Sequence, residues 1–362
     1  VDKEKELYPL NILDVTVTAL RDFGTYLYLG ILAILGSITI GQFSQLTAAG
    51  GTVNQAVQGV IFNIQDIVKR CSYAYETVKL MEYPPYLQKG TRKVRDLDKP
   101  HEIEFRNVSF SYPNTGVQVL KNVSIKIKAG ERLSVVGLNG AGKTTFIKLL
   151  CRLYDPTEGK IRLNGIDIRK YRYDEYLSLF SVVFQDFRLF SFPLGQNVGA
   201  SVEYDRAAAE SALLRAGFGE RLSTMPRGLD TPLYSNYDAS GVEISGGEAQ
   251  KIALARALYK AEAGDPPAPF IVLDEPTAAL DPIAEADVYA RFNGIVAGKT
   301  AVYISHRLSS CRFCDDIAVF DHGHIVQQGS HDALVEAPGK YQELWHAQAQ
   351  YYAKQEKEPG AE

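Results

Sequence analysis

The distribution of apolar and charged residues divides the chain into an apolar N-terminal stretch and a longer region of short, alternating runs. Residues 23–65 contain no Asp, Glu, Lys or Arg, and residues 23–40 are almost uniformly apolar. The latter stretch has about the length that a bilayer core requires of a helix. Residues 43–64 carry Gln and Asn among small and apolar residues, so we expect a second span that faces a bundle interior or a wet cavity. A buried soluble hairpin is the alternative interpretation.

Charged and proline-containing segments mark the end of this region. Lys69, Arg70 and Lys79 follow the second span, which predicts that its C-terminal end is cytoplasmic. Residues 83–100 combine prolines with a run of charged residues, a composition typical of an exposed linker. We therefore predict that residues 1–82 are all-α and transmembrane and that a new domain starts near residue 101.

Short apolar runs of strand length follow the linker. They lie at residues 103–110, 123–128, 133–136, 270–273 and 300–304, and the run at 123–128 alternates with period two. Asn164 and Gly165, between two short runs, indicate a β-hairpin. Helical patterns lie between the runs, so residues 101–350 are predicted to form an α/β domain with a largely parallel central sheet. Residues 351–362 are expected to be a charged tail.

Composition and charge narrow the function classes. The formal net charge of −4 and pI near 6.0, without a basic stripe, give no reason to expect a nucleic-acid partner. Four cysteines are too few and too unevenly placed for a disulfide framework, which fits a reducing compartment. Cys311 and Cys314 form a lone CxxC, which we interpret as helix packing.

A glycine-rich segment follows the run at 133–136. Residues 137–144 read Gly-Leu-Asn-Gly-Ala-Gly-Lys-Thr, the pattern of a loop whose backbone N–H groups and following helix N-terminus cradle phosphate oxygens. Lys143 would supply positive charge and Thr144 a ligand for Mg²⁺. We therefore predict an ATP site formed by Gly137, Asn139, Gly140, Ala141, Gly142, Lys143, Thr144 and Thr145.

Two further motifs carry candidate chemistry. The apolar run at 270–273 ends in Asp274 and Glu275; beside a phosphate loop, the first would hold Mg²⁺ and the second would accept a proton from the attacking water. Ser245, Gly246, Gly247 and Glu248 precede an Ala/Leu-rich helix pattern. They predict either a capping box or a second anion site with exposed backbone amides, and the two are compatible.

This order of elements resembles the nucleotide-binding domain of ABC transporters, and the upstream region resembles the last two spans of an exporter-type membrane domain. The Ser-Gly-Gly segment just before an Asp-Glu strand is specific to that family among phosphate-loop ATPases. The resemblance implies an α/β P-loop NTPase with a mixed sheet and a helical subdomain, preceded by an all-α transmembrane segment.

The resemblance also implies roles for four further residues. Tyr112 would stack on adenine, and Gln185 would contact Mg²⁺ and the attacking water. Asp281 would lie in the loop that crosses to a partner domain, and His306 would contact the γ-phosphate. Read singly, each has an ordinary alternative: a packed aromatic, a strand-end polar group, a helix cap and a satisfied surface histidine.

Residues 245–248 match the segment that we call the signature of the family. They differ from its usual form, which ends in Gln where this chain has Glu248. A carboxylate near a γ-phosphate would weaken binding unless it points back into the helix cap. We expect that capping geometry, with activity retained.

The resemblance further implies an ATP-hydrolysing exporter component that pairs with a second half-transporter, each ATP lying between the phosphate loop of one domain and residues 245–248 of the other. It places the protein in the plasma membrane with the ATPase domain in the cytoplasm. The transported substrate, and whether the pair is a homodimer, stay open. A soluble ABC ATPase and an ATP-binding regulatory half are the alternatives.

Overall fold

The computed structural model describes residues 2–83, 87, 89–94, 100–275, 296, 298–305 and 308–355. The chain divides into two compact units, Val1–Tyr86 and Leu87–Glu362.

The first unit is a pair of long helices, α1 (Asp2–Ile34) and α2 (Ile40–Met81). The predicted span 23–40 is wrong at its C-terminal end, because α1 stops at Ile34. Gly36 has a φ of 71°, and Thr39 caps α2 in a reciprocal capping box with Gln42, so the chain turns between the helices. The predicted span 43–64 lies inside α2.

Much of the apolar surface of these helices is uncovered in this chain. Within the described residues, one segment, Thr16–Ile34, has the length and composition needed to cross a membrane. On α2, Phe62 and Val53 are more than half exposed. Gln58, a polar residue of the predicted second span, donates through Nε2 to Thr18 Oγ1 on α1 at 3.4 Å, so one polar group of α2 is satisfied between the helices. Membrane insertion of both helices stays a prediction.

The second unit contains two sheets. Its strands are β1 (Ile103–Ser111), β2 (Gln118–Ile127), β3 (Arg132–Gly137), β4 (Glu158–Leu163), β5 (Ile166–Asp167), β6 (Phe180–Val183), β7 (Phe270–Asp274), β8 (Thr300–Ile304), β9 (Asp316–Asp321) and β10 (His324–Gly329). One sheet has the order β2-β1-β4-β5 and is antiparallel; the other has the order β10-β9-β3-β8-β7-β6 and is parallel except for its β9–β10 pair. The predicted hairpin at Asn164 and Gly165 joins β4 and β5, which confirms it.

The helices of this unit lie between its strands along the chain and after the last of them. They are α3 (Lys143–Leu150), α4 (Tyr173–Ser178), α5 (Leu194–Gly199), α6 (Arg206–Arg215), α7 (Gly219–Ser223), α8 (Gly246–Ala263), α9 (His331–Glu336) and α10 (Lys340–Gln355). Short 3-10 helices lie at Ile168–Lys170, Gly228–Asp230 and Leu308–Phe313. The antiparallel β9–β10 pair in an otherwise parallel sheet confirms the predicted mixed sheet. Apolar residues of α5, α6 and α8 share one core with β7 and β8, and a separate helical subdomain stays a prediction.

Residues 89–94 of the predicted linker contact this unit, although Lys89, Thr91, Arg92 and Lys93 are exposed. Val94 is 5% exposed, and its N–H donates to Glu175 Oε2 at 2.8 Å. A Cβ on Gly90 would lie 2.3 Å from the carbonyl oxygen of Tyr171. Val94 is buried although its neighbours in the sequence are charged, so the sequence pattern did not predict its burial.

The cysteines of the CxxC follow the packing interpretation. Cys311 is buried, with Sγ 3.2 Å from Ser134 Oγ, and burial raises the pKa of its thiol to about 11. A thiol that stays protonated and buried is a packing group.

Candidate active site

The topology of the parallel strands brings the chemical groups to one edge. β6, β7, β8 and β3 are consecutive neighbours in the sheet, so their C-terminal ends meet there. Gln185 follows β6, Glu275 follows β7, and Gly137 ends β3. The carboxyl edge of such a sheet is where ligands bind in open α/β folds.

The loop between β3 and α3 owes its shape to glycines with positive φ. Gly137 and Gly142 have φ of 149° and 104°. A Cβ on Gly137 would lie 2.3 Å from the carbonyl oxygen of Phe320, and a Cβ on Gly142 would lie 2.6 Å from Leu120 Cδ2. The fold itself therefore requires glycine at both positions.

Lys143, the first residue of α3, turns back into this loop. Its Nζ donates to the carbonyl oxygens of Gly137 at 2.9 Å and Leu138 at 3.1 Å, and the residue is 5% exposed. Burial lowers the pKa of Lys143, and the carboxylates of Glu275 and Asp274 act in the opposite direction. The ammonium is thus held over the loop by neutral acceptors, and phosphate oxygens would bind it more strongly.

A cavity of about 460 Å³ opens beside the loop. It brings together eight predicted residues of the loop and of the strand ends, and Val119 lines it as well; the eight are Asn139, Gly140, Gly142, Lys143, Thr144, Thr145, Gln185 and Glu275. Gly137 and Ala141 do not line this cavity and instead shape the loop from behind. The cavity therefore combines backbone amides, a lysine, hydroxyls and a carboxylate, a set suited to a polyphosphate.

Glu275 is fixed in a conformation that side-chain-bearing residues rarely adopt. Its φ is 53°. Its backbone is held on both sides, since its N–H donates to the Ile304 carbonyl at 3.1 Å and its carbonyl accepts from Gln250 Nε2 at 3.0 Å. Gln185 Nε2 donates to Glu275 Oε2 at 3.1 Å. A strained backbone held this firmly is a feature of functional positions.

Asp274 lies beneath Glu275 and carries an unsatisfied carboxylate. It is 1% exposed, and neither oxygen has a hydrogen-bond partner among the described residues. Burial raises the pKa of Asp274 to about 6. The Thr144 hydroxyl and the Lys143 ammonium oppose this increase, whereas the Glu275 carboxylate adds to it. Buried, unpaired carboxylate oxygens beside a threonine hydroxyl suit a hard cation such as Mg²⁺.

Tyr112 is a packed aromatic in this chain and does not line the cavity. Its ring makes edge contacts with Phe110 and Tyr154, with centroids 5.0 Å and 5.3 Å away. Its hydroxyl lies 3.0 Å from Thr145 Oγ1. The structure thus places it next to the loop through Thr145, and its stacking on adenine stays a prediction.

The segment 245–248 forms the N-terminus of α8 and has the predicted capping box. Ser245 Oγ accepts from the Glu248 N–H at 3.3 Å, and Glu248 Oε2 accepts from the Ser245 N–H at 2.8 Å. None of the four signature residues is among the described residues that line the phosphate-loop cavity. Gly246 instead lines a second cavity of about 620 Å³, which Gln185 and Glu275 also border.

Two predicted residues, Asp281 and His306, lie outside the described residues. Conversely, Val119, Gln250 and Arg221 were not predicted as site residues; Arg221 forms an ion pair with Glu248. Gln250 had a usable signal, because it is a polar residue among apolar ones on the helix pattern. Val119 and Arg221 had none, since their positions depend on contacts between distant segments.

The comparisons with known proteins agree with this geometry. The family model for the ABC transporter matches residues 120–278. The subtilin transport ATP-binding protein SpaT of Bacillus subtilis is 34% identical over 318 residues, which are 86% of this chain and 50% of that protein. The ATP-dependent lipid A-core flippase of Burkholderia orbicola (strain AU 1054) is 39% identical over 252 residues, which are 70% of this chain and 41% of the flippase.

Among solved structures, a bacterial Atm1-family ABC exporter with ATP bound is similar to the whole chain, with a TM-score of 0.74 and 28% identity. This chain covers 60% of that exporter chain, and it spans about half the length of the curated relatives it matches.

Proposed function

We propose, from the premise that this chain belongs to the ABC transporter family, that it is the ATP-binding and ATP-hydrolysing component of an exporter. The observation that carries the proposal is the cavity in which the phosphate loop, Gln185 and Glu275 meet, while the glycine N-terminus of α8 lies apart from it. Each domain thus carries two different half-sites for ATP, one at the phosphate loop and the other at the N-terminus of α8.

ATP binds with its phosphates on the loop at 137–145. Lys143 exchanges its two carbonyl acceptors for phosphate oxygens, and the N-terminus of α3 contributes its unpaired N–H groups and positive dipole end. Tyr112 stacks on the adenine, beside Thr145.

Mg²⁺ suits the residues around Asp274, which with Thr144 and Gln185 would hold it. Bound there, it would neutralise negative charge on the phosphates. The support is the pair of buried, unsatisfied oxygens of Asp274.

Glu275 orients the attacking water and takes its proton. Gln185, which donates to the Glu275 carboxylate, keeps the carboxylate facing the cavity, and the backbone contacts to Ile304 and Gln250 keep the residue in place. We further assign His306 to the γ-phosphate, on the family resemblance alone.

The second half of each site comes from another copy or a related half-transporter. Gly246 supports this step: a Cβ there would meet no atom of the described residues within 4 Å apart from its own helix backbone and chain neighbours, so no packing among the described residues requires the glycine. A phosphate approaching the helix N-terminus from outside does require it. Asp281 is assigned to the loop that crosses between the domains.

The role in export is assigned to the helical unit at the N-terminal end of the chain. Residues 1–82 are proposed as the last part of a membrane domain, 83–100 as the connection, 101–350 as the cytoplasmic ATPase domain and 351–362 as a charged tail, in the plasma membrane. Closure of the paired domains on ATP and their opening after hydrolysis would drive the membrane helices between two states.

The test is ATP turnover of this chain in detergent across protein concentrations, beside Glu275→Gln. We expect specific activity to rise with concentration, because the site needs two domains, and to fall at least about a hundredfold in the variant, since general-base catalysis contributes about that much. Specific activity independent of concentration, or full turnover by Glu275→Gln, would refute the proposal.

A further inference from the structure

The carboxylate of Glu248 sits at the helix end that the proposed function assigns to a neighbouring domain's ATP. The inference below rests on that function. An unbalanced negative charge there would repel the γ-phosphate and reduce the positive potential that the N-terminus of α8 offers to it. The Glu248 carboxylate must therefore be turned away from the approaching phosphate, and its charge must be balanced.

The contacts of Glu248 meet both requirements. One carboxylate oxygen, Oε2, accepts from the Ser245 N–H at 2.8 Å. The other, Oε1, is 2.8 Å from Nε of Arg221, a residue of α7. Both carboxylate oxygens are thus turned back against the helix cap, and the pair is only partly exposed, at 37% for Arg221 and 25% for Glu248.

The same contacts leave suitable donors free at the helix end. The capping box uses the N–H groups of Ser245 and Glu248. Ser245 Oγ serves as an acceptor in the box, so its hydroxyl proton is available for a phosphate. The first N–H groups of a helix also have no acceptor within the helix, and those of Gly246 and Gly247 belong to this set.

We propose that Arg221 is a positioning residue that holds Glu248 against the cap and balances its charge, so that residues 245–247 can receive ATP bound to a second nucleotide-binding domain. Arg221 acts through Glu248 and does not touch the phosphate. The requirement for Arg221 therefore exists only while residue 248 is a carboxylate.

The test is a double-mutant cycle in the full chain: wild type, Arg221→Gln, Glu248→Gln and the double variant. ATP turnover and KM are measured with the melting temperature. We expect Arg221→Gln to lose at least tenfold in kcat/KM, and Arg221→Lys to lose less. Glu248→Gln is the reference for the cycle, and the double variant should stay within twofold of Glu248→Gln, because Arg221 has no carboxylate to balance there.

The matched control is Arg215→Gln. Arg215 pairs with Glu262 at the other end of α8, at similar exposure of 31% and 40%, and its loss should leave turnover within twofold. Binding of a fluorescent ATP analogue without Mg²⁺, which reports the chain's own phosphate loop, should be unchanged in Arg221→Gln.

Two outcomes would overturn the inference. Full activity of Arg221→Gln would show that the pair is not needed. A double variant as impaired as Arg221→Gln would indicate either direct phosphate contact or a purely structural role, which the melting temperatures separate. Failure of the proposed function is distinguishable, because wild type itself would then lack turnover that depends on Glu275.

Discussion

Gly246 and Gly159 are glycines in opposite surroundings. A Cβ on Gly246 meets no atom of the described residues within 4 Å apart from its own helix backbone and chain neighbours, whereas a Cβ on Gly159, whose φ is 79°, would lie 2.2 Å from the Asn107 carbonyl oxygen. Gly159 serves the fold. Gly246 lowers helix propensity, and under the proposed function it makes room for the phosphate bound to a second domain.

We therefore predict that Gly246→Ala keeps or raises the free energy of unfolding, by up to about 1 kcal/mol, while ATP turnover falls at least about tenfold from steric exclusion of phosphate. Denaturant unfolding and ATPase assays check this. Gly159→Ala is the control and should lower stability. A Gly246→Ala variant with wild-type turnover would contradict the assignment of 245–248 to ATP.

Asp274 yields a stability prediction for the ligand-free protein. Its pKa is raised by burial to about 6, so the folded state holds a proton that the unfolded state releases at lower pH. Between about pH 4 and 6 this group makes the protein less stable as pH rises. Asp274→Asn removes the buried charge and should stabilise the ligand-free protein at pH 8 by on the order of 2 kcal/mol.

The gain from Asp274→Asn should shrink towards zero at pH 4, where the wild-type carboxyl is neutral. Melting curves at both pH values, without Mg²⁺ or nucleotide, measure it. Asp265→Asn, at an exposed position outside the cavity, is the control. Destabilisation by Asp274→Asn at pH 8 would show that the carboxylate is satisfied.

At the scale of elements, local patterns were sufficient where neighbouring residues decide the structure. The β4–β5 hairpin follows from Asn164 and Gly165, which both adopt positive φ, and the loop before α3 follows from its glycines. The end of α1 at Ile34 was missed, because uniform hydrophobicity hides a turn made by Gly36 and Thr39. The attachment of Val94 was missed because it depends on Glu175, which is distant in sequence.

Helix α8 links both halves of the proposed chemistry within one domain. Its N-terminus carries Ser245 and Gly246, and one turn later Gln250, 5% exposed, donates to the carbonyl of Glu275. A shift of α8 is thereby transmitted to the backbone of Glu275. This link was beyond the sequence, because it joins a helix to a strand end through one side chain.

We predict that Gln250→Leu, which keeps side-chain volume, costs about 1 kcal/mol of stability for the lost hydrogen bond and lowers kcat at least about fivefold by releasing Glu275. Binding of ATP without Mg²⁺ should not change. Leu258→Met, a volume-conserving change elsewhere on α8, is the control. Equal kcat in Gln250→Leu and wild type would exclude this coupling.

For the whole molecule, the separation of the two half-sites is the decisive property. Asn139 lines the cavity beside the phosphate loop, and Ser245 does not. The sequence placed both residues in motifs but could not show that only Asn139 lines this cavity, since that depends on how distant segments of the domain pack. Pairing of two copies head to tail would bring Asn139 of one near Ser245 of the other.

We predict that a mixture of Asn139→Cys and Ser245→Cys chains, each also carrying Cys71→Ser and Glu275→Gln, cross-links with a short bismaleimide when Mg²⁺ and ATP are present. Cys71 is removed because it is exposed. Cys151 and Cys311 are buried, and Cys314 is partly buried with a thiol pKa raised by burial, so these three react slowly. Each variant alone is the control and should give little dimer on a denaturing gel, because a head-to-tail pair apposes unlike motifs. Equal cross-linking in the single-variant samples, or no dependence on ATP, would reject the head-to-tail arrangement while leaving the phosphate-loop site intact.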